Sequence, residues 1–120
     1  MNLKYRYYIY ILTNRKNGTL YIGSTPDLQK RLNEHRQKLF DGFTKKYNID
    51  KLIYVEEFLN KSDAIIRERQ LKKWNRKWKT ELIEKHNPNW NDLSKEITRN
   101  LSGMEVMDIL FGKNKPAKVL

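Results

Sequence analysis

Two short apolar runs rich in tyrosine, Tyr8-Ile9-Tyr10 and Tyr21-Ile22-Gly23, stand on either side of Asn17-Gly18. Asn-Gly between apolar runs is a strong hairpin signal, because both residues tolerate the positive φ that a tight turn between twisted strands requires. The runs are therefore expected to pair as antiparallel strands, over residues 5–13 and 19–24. Both faces of the first run are apolar or aromatic, which suits a strand with neighbours on both sides or cover on both faces. Gly23 ends the second run, where a backbone either bends or is closely approached. Thr25-Pro26-Asp27 then has the form of a helix start, with Thr25 as N-cap, Pro26 at the first helical position and Asp27 in the first turn.

The helix predicted from this start covers residues 26–39, with Leu28, Leu32 and Leu39 on one stripe and Gly42 just past its end. A polar, basic loop over 43–51 precedes a third strand over 52–59. Ser62 is expected to cap a helix over about 63–73, and a second helical piece over about 77–85 stops at His86-Asn87-Pro88. Asp92 or Ser94 would cap a short last helix reaching Asn100. The order strand, strand, helix, strand, helices predicts an α+β fold, a small three-stranded sheet with helices packed on it. Residues 1–100 form the expected domain. Residues 101–120, with the apolar segment Met104–Phe111, form a C-terminal extension that docks as a short helix or is poorly ordered.

The chain of 120 residues suits one domain with a modest core, and its 25 Lys+Arg against 14 Asp+Glu give a net charge of +11. So large a basic excess on a small domain favours a polyanionic partner, most simply nucleic acid. With no cysteine there is no disulfide and no thiolate zinc site. The run Tyr7–Leu12 is too short to cross a bilayer, so no membrane partner and a cytoplasmic location are expected.

Polar groups on apolar stripes carry the functional signal. Glu68 shares a helical stripe with Ala64, Ile65 and Leu71. A carboxylate there needs a cation, a metal or hydrogen-bond donors, and an internal Arg or Lys would satisfy it as well as a metal would. Arg31 and His35 fall one helical turn apart beside the leucine stripe. Arg31 could clamp a phosphate with two N–H groups, or simply face solvent. His35 either orients a water or phosphate or fills the edge of the core. Tyr10 and Tyr21 could share one sheet face, although tyrosine is common in strands for packing alone. Glu56 and Glu57 are adjacent on the third strand and point to opposite faces, an exposed strand face being the plainer reading.

Tyr8-Ile9-Tyr10, Tyr21-Ile22-Gly23 and the helix carrying Arg31 resemble the GIY-YIG endonuclease family, in particular its small single-domain members, over about residues 5–93. The first motif departs from the pattern by beginning with Tyr8 instead of Gly. The resemblance implies a three-stranded antiparallel sheet flanked by helices and metal-dependent hydrolysis of DNA. It implies Glu68 as the single protein ligand of Mg²⁺ or Mn²⁺, Arg31 on the scissile phosphate, and Tyr21 as general base aided by Tyr10. The products would carry a 5′-phosphate and a 3′-hydroxyl. Tyr8, Gly23, Ser24, Lys30, Lys72 and Asn91 join as expected substrate contacts or supports. Ser24 stands where some relatives carry lysine, so Lys30 or Lys72 would have to supply that cation. Substrate choice would rest on DNA shape or on a protein partner. The competing reading is a non-catalytic module whose Tyr5, Tyr7, Tyr8 and Tyr10 stack unpaired bases. A third reading is a partner-binding protein using Met104–Phe111.

Overall fold

Strands β1 (Tyr7–Thr13), β2 (Leu20–Thr25) and β3 (Lys51–Phe58) form one antiparallel sheet in the order β2-β1-β3. The computed structural model describes residues 6–37 and 47–97. Four helices complete this part of the chain: α1 (Leu28–Arg36), α2 (Lys61–Lys73), α3 (Arg76–His86) and the single turn α4 (Ser94–Ile97). The expected fold class holds. Leu39, Gly42, Tyr5 and residues 98–120, including Met104–Phe111, lie outside the described residues.

The hairpin forms where Asn17-Gly18 predicts it, but its connection spans residues 14–19. Thr13 pairs with Leu20, Gly18 N donates to Arg15 O at 2.9 Å, and Asn17 takes a φ of 60°. The Asn14 side chain accepts from Thr19 N at 3.1 Å, which satisfies the wider loop.

Two helix starts differ from expectation. Thr25 does not cap α1 but remains the last residue of β2, paired with Tyr8, because Pro26 holds the residue before it extended. Asp27 is the cap, accepting from Lys30 N at 3.1 Å, and the helix begins at Leu28. Asn60 replaces Ser62 as the cap of α2, accepting from Asp63 N at 2.9 Å. Asn75 caps α3 through Trp78 N at 2.8 Å.

The register divides the sheet into two faces. Tyr8, Tyr10, Tyr21, Gly23 and Thr25 share one, and α1 covers it with Leu28, Leu32 and His35. Ile9, Ile11, Ile22 and Ser24 share the other, under α2 and α3 with Ala64, Leu71 and Ile83. Central β1 is thus flanked on both edges and covered on both faces. Opposite Ile11 and Leu12, β3 carries an extra residue, Ile53, whose carbonyl accepts from Asn87 Nδ2 at 3.0 Å.

This double cover overturns the exposed reading of the third-strand glutamates. Glu56 is 2% exposed and receives Arg67 through Nε and an η nitrogen, both at 2.9 Å, and the Tyr54 hydroxyl at 2.5 Å. Glu57 faces the other way and pairs with Arg6 at 2.5 Å.

Gly23 lies directly opposite Tyr10, and the Tyr10 ring crosses it so closely that a Cβ at Gly23 would stand 2.6 Å from Cζ. Gly23→Ala is expected to destabilise the protein by about 1–3 kcal/mol through overpacking. Urea unfolding measures this, and a loss below about 0.5 kcal/mol would mean that the ring moves aside freely.

Candidate active site

Tyr10 is buried at the centre of the sheet, so its hydroxyl must find partners inside the protein. It finds His35 Nε2 at 3.2 Å and is hydrogen-bonded to Arg31 and Tyr21 as well. The rings of Tyr10 and Tyr21 lie 6.2 Å apart, and the His35 ring stands edge-on to both, at 5.8 and 5.3 Å. Burial, and then the neighbouring Tyr21, push the Tyr10 pKa up, with Arg31 acting against them, so Tyr10 stays a phenol at neutral pH. Burial works against the Arg31 charge, but Tyr10, Glu34 and Tyr21 together outweigh it and raise its pKa. Arg31 also reaches Glu34 at 3.2 Å. Burial, reinforced by Arg31, lowers His35 to about 4, so this histidine is neutral at physiological pH. Tyr21 is the half-buried phenol of the pair, and it lies on β2, an edge strand among the described residues.

Glu68 occupies the opposite side of that strand. It lies on α2, its side chain is 18% exposed, and no arginine holds it. Ser24 Oγ donates to Glu68 Oε1 at 2.5 Å, and the exposed Lys72 reaches Oε2 at 2.6 Å. The internal arginine of this helix, Arg67, is committed to Glu56 instead. The two carboxylates thus separate, Glu56 structural and Glu68 partly exposed.

Of the expected residues, the structure gathers Tyr10, Tyr21, Arg31 and His35 into one cluster and places Glu68, Ser24 and Lys72 in a second across β2. Lys72 sits on Glu68, and the cation beside the phenols is Arg31. Lys30 is exposed on α1, bonded to Asp27 through its backbone. Asn91 does not support the site: its side chain is exposed and only its backbone N and O meet Asn87. Asn87, by contrast, is buried and donates to the bulge carbonyl of Ile53 on β3. Tyr8 is half-buried against Glu57, and burial followed by that carboxylate raises its pKa to about 12. With Tyr10 fully buried and Tyr7 and Tyr8 half-buried, the described residues of the sheet offer no row of exposed tyrosines for base stacking. The role of Ser24 as holder of Glu68 was not anticipated, although strict alternation from Gly23 places it on the α2 face.

Among the described residues, no three His, Asp or Glu side chains gather closely enough to hold an ion together. A lone carboxylate at the rim suits a divalent ion that keeps most of its waters. Ser24 would keep Oε1 aimed, and the exposed Lys72 is the partner such an ion would displace.

Comparison with known proteins shows the family of the chain. The model of the GIY-YIG catalytic domain matches residues 6–81. The chain belongs to the GIY-YIG family. A UPF0213 protein of Staphylococcus saprophyticus is 37% identical over 78 residues, covering 65% of this chain and 94% of the relative. A UPF0213 protein of Clostridium perfringens is 37% identical over 90 residues, covering 75% of this chain and 96% of the relative. The solution structure of the UPF0213 protein BH0048 from Bacillus halodurans is 26% identical, with a TM-score of 0.48 and coverage of 75% and 95% of the two chains. The GIY-YIG motifs of this chain, β1, β2 and α1, are those that build the phenol cluster. Among the described residues no helix is long and apolar enough to cross a membrane.

Two outcomes follow from this chemistry. Because His35 titrates near 4 folded and near 6.5 unfolded, its contribution is complete above pH 6.5 and is lost as pH falls towards 4. Wild type should therefore lose up to about 3 kcal/mol relative to His35→Gln over that window, read from urea melts of both proteins. Equal pH slopes would remove the buried neutral histidine. Secondly, Glu56→Ala should cost about 3–5 kcal/mol by stranding Arg67, whereas Glu68→Ala should cost under about 1 kcal/mol. Similar losses in the two variants would contradict the division between them.

Proposed function

We propose that this GIY-YIG protein is a DNA endonuclease that hydrolyses phosphodiester bonds with one Mg²⁺ or Mn²⁺ held by Glu68. The observation that carries this reading is the edge strand β2, with a guanidinium and two phenols on one side and an aimed carboxylate on the other. The reading requires that a phosphate laid along the rim of that strand meet both. When bound, the metal ion supplies positive charge that offsets the growing charge on the phosphate and leaving oxygen.

Arg31 donates to the phosphate oxygens with a guanidinium already oriented by Tyr10 and Glu34. Tyr21, the group nearer solvent, acts as its phenolate: Oη takes the proton of the attacking water and becomes a hydroxyl again. Tyr10 is a positioning residue: its hydroxyl ties Tyr21, Arg31 and the neutral ring of His35 into one network. His35 holds the ring geometry from beneath and brings no charge to compete with Arg31. Ser24 fixes the rotation of the Glu68 carboxylate. The net charge of +11 supports DNA as the partner through many phosphate contacts that do not depend on Glu68.

The test compares wild type with Glu68→Ala, Arg31→Ala and Tyr21→Phe on plasmid DNA with Mg²⁺ or Mn²⁺. Wild type should nick it, and each variant should be at least about 100-fold slower. In EDTA, Glu68→Ala should still bind a labelled duplex within a few-fold of wild type, with affinity falling steeply as salt rises. Undiminished cutting by Glu68→Ala would exclude the assigned metal ligand.

A further inference from the structure

The joint between α2 and α3 carries an exposed aromatic group that the reaction does not use. Trp78 is 52% exposed in the first turn of α3. Its orientation is set by neighbours: the Trp74 ring meets it at 90° with centroids 6.0 Å apart, and the Arg67 guanidinium lies 5.2 Å from the Trp74 ring centroid. Arg76 anchors the start of α3 by donating to Gly18 O at 2.6 Å, on the tip of the β1–β2 hairpin. The indole is therefore held by a rigid support and still open to solvent, as a stacking surface requires.

Cations flank it along the chain. Lys73, Arg76 and Lys77 are exposed and Lys79 is half-buried, and among the described residues Lys73, Lys77 and Lys79 form no ion pair. Lys73 suits the last turn of α2, but helix stability does not explain Arg76 and Lys77, because the first turn of α3 holds no acidic residue and these cations oppose its dipole. An external polyanion would relieve that repulsion. Bases inside a duplex are already stacked on one another, so an indole face gains contact chiefly with unpaired nucleotides, while lysines bind the backbone of either form. The platform also lies near the candidate site: α2 rises about 8 Å between Glu68 and its last residue, Lys73.

We propose that Trp78 and the lysines around it form a stacking platform for unpaired nucleotides, so that the DNA acted on has a single-stranded segment beside the scissile phosphate. The substrate class rests on the nuclease reading, whereas the platform does not. Binding of oligothymidine and of a blunt duplex is measured in EDTA by tryptophan fluorescence and anisotropy, with wild type, Trp78→Ala and Trp78→Tyr. Oligothymidine should quench the wild-type emission. Trp78→Ala should weaken oligothymidine binding about tenfold and duplex binding less than about twofold, and Trp78→Tyr should restore most of the loss. Unchanged oligothymidine affinity in Trp78→Ala, or equal losses for both DNAs, would overturn the platform. So would quenching by an acidic polypeptide but not by oligothymidine, which would mark a protein partner instead. Metal-dependent cutting with no effect of Trp78→Ala on binding leaves the nuclease reading standing and removes the platform. Absence of any cutting with Trp78-dependent binding does the reverse.

Discussion

The Tyr10 ring laid across Gly23 is the contact on which the rest of the arrangement depends. Only a residue without a side chain lets the phenol cross to the neighbouring strand, and only a phenol buried there needs so many polar partners. Those partners are the groups the candidate chemistry uses. His35 and Arg31 are drawn in from α1, and Tyr21 from β2. A packing requirement in the core and the placement of the reactive cluster are therefore one problem with one solution.

A second constraint acts from the other face. Glu56 and Arg67 form a buried, two-point pair, and Tyr54 completes the glutamate's hydrogen bonding. Breaking such a pair is strongly unfavourable, so it fixes the rotation of α2 about its own axis. With Arg67 turned towards β3, the next residue, Glu68, turns towards β2 and meets Ser24. The placement of the rim carboxylate is thus inherited from a buried one.

Much of this was legible in the sequence, for identifiable reasons. Strand alternation, the Asn-Gly turn and the leucine stripe of α1 are local signals, and they predicted the sheet and the first helix. Tyr10, Tyr21 and Arg31 were readable because their motifs put them at fixed register positions. The helix caps were misassigned because Thr25 and Ser62 are as able to cap as Asp27 and Asn60, and the choice depends on where the preceding strand ends. Glu56 and Asn87 were hidden for a different reason. Their importance comes from partners 11 and 34 residues away, Arg67 and the bulge carbonyl of Ile53, and no local pattern announces either.

The bond from Arg76 to the carbonyl of Gly18 joins residues 58 apart in the chain. The hairpin tip, closed by its own turn, is therefore also fastened by a helix far along the sequence. A disturbance at the start of α3 would thus be felt at the far end of the strand pair, a lever between two parts of the molecule that share no local sequence.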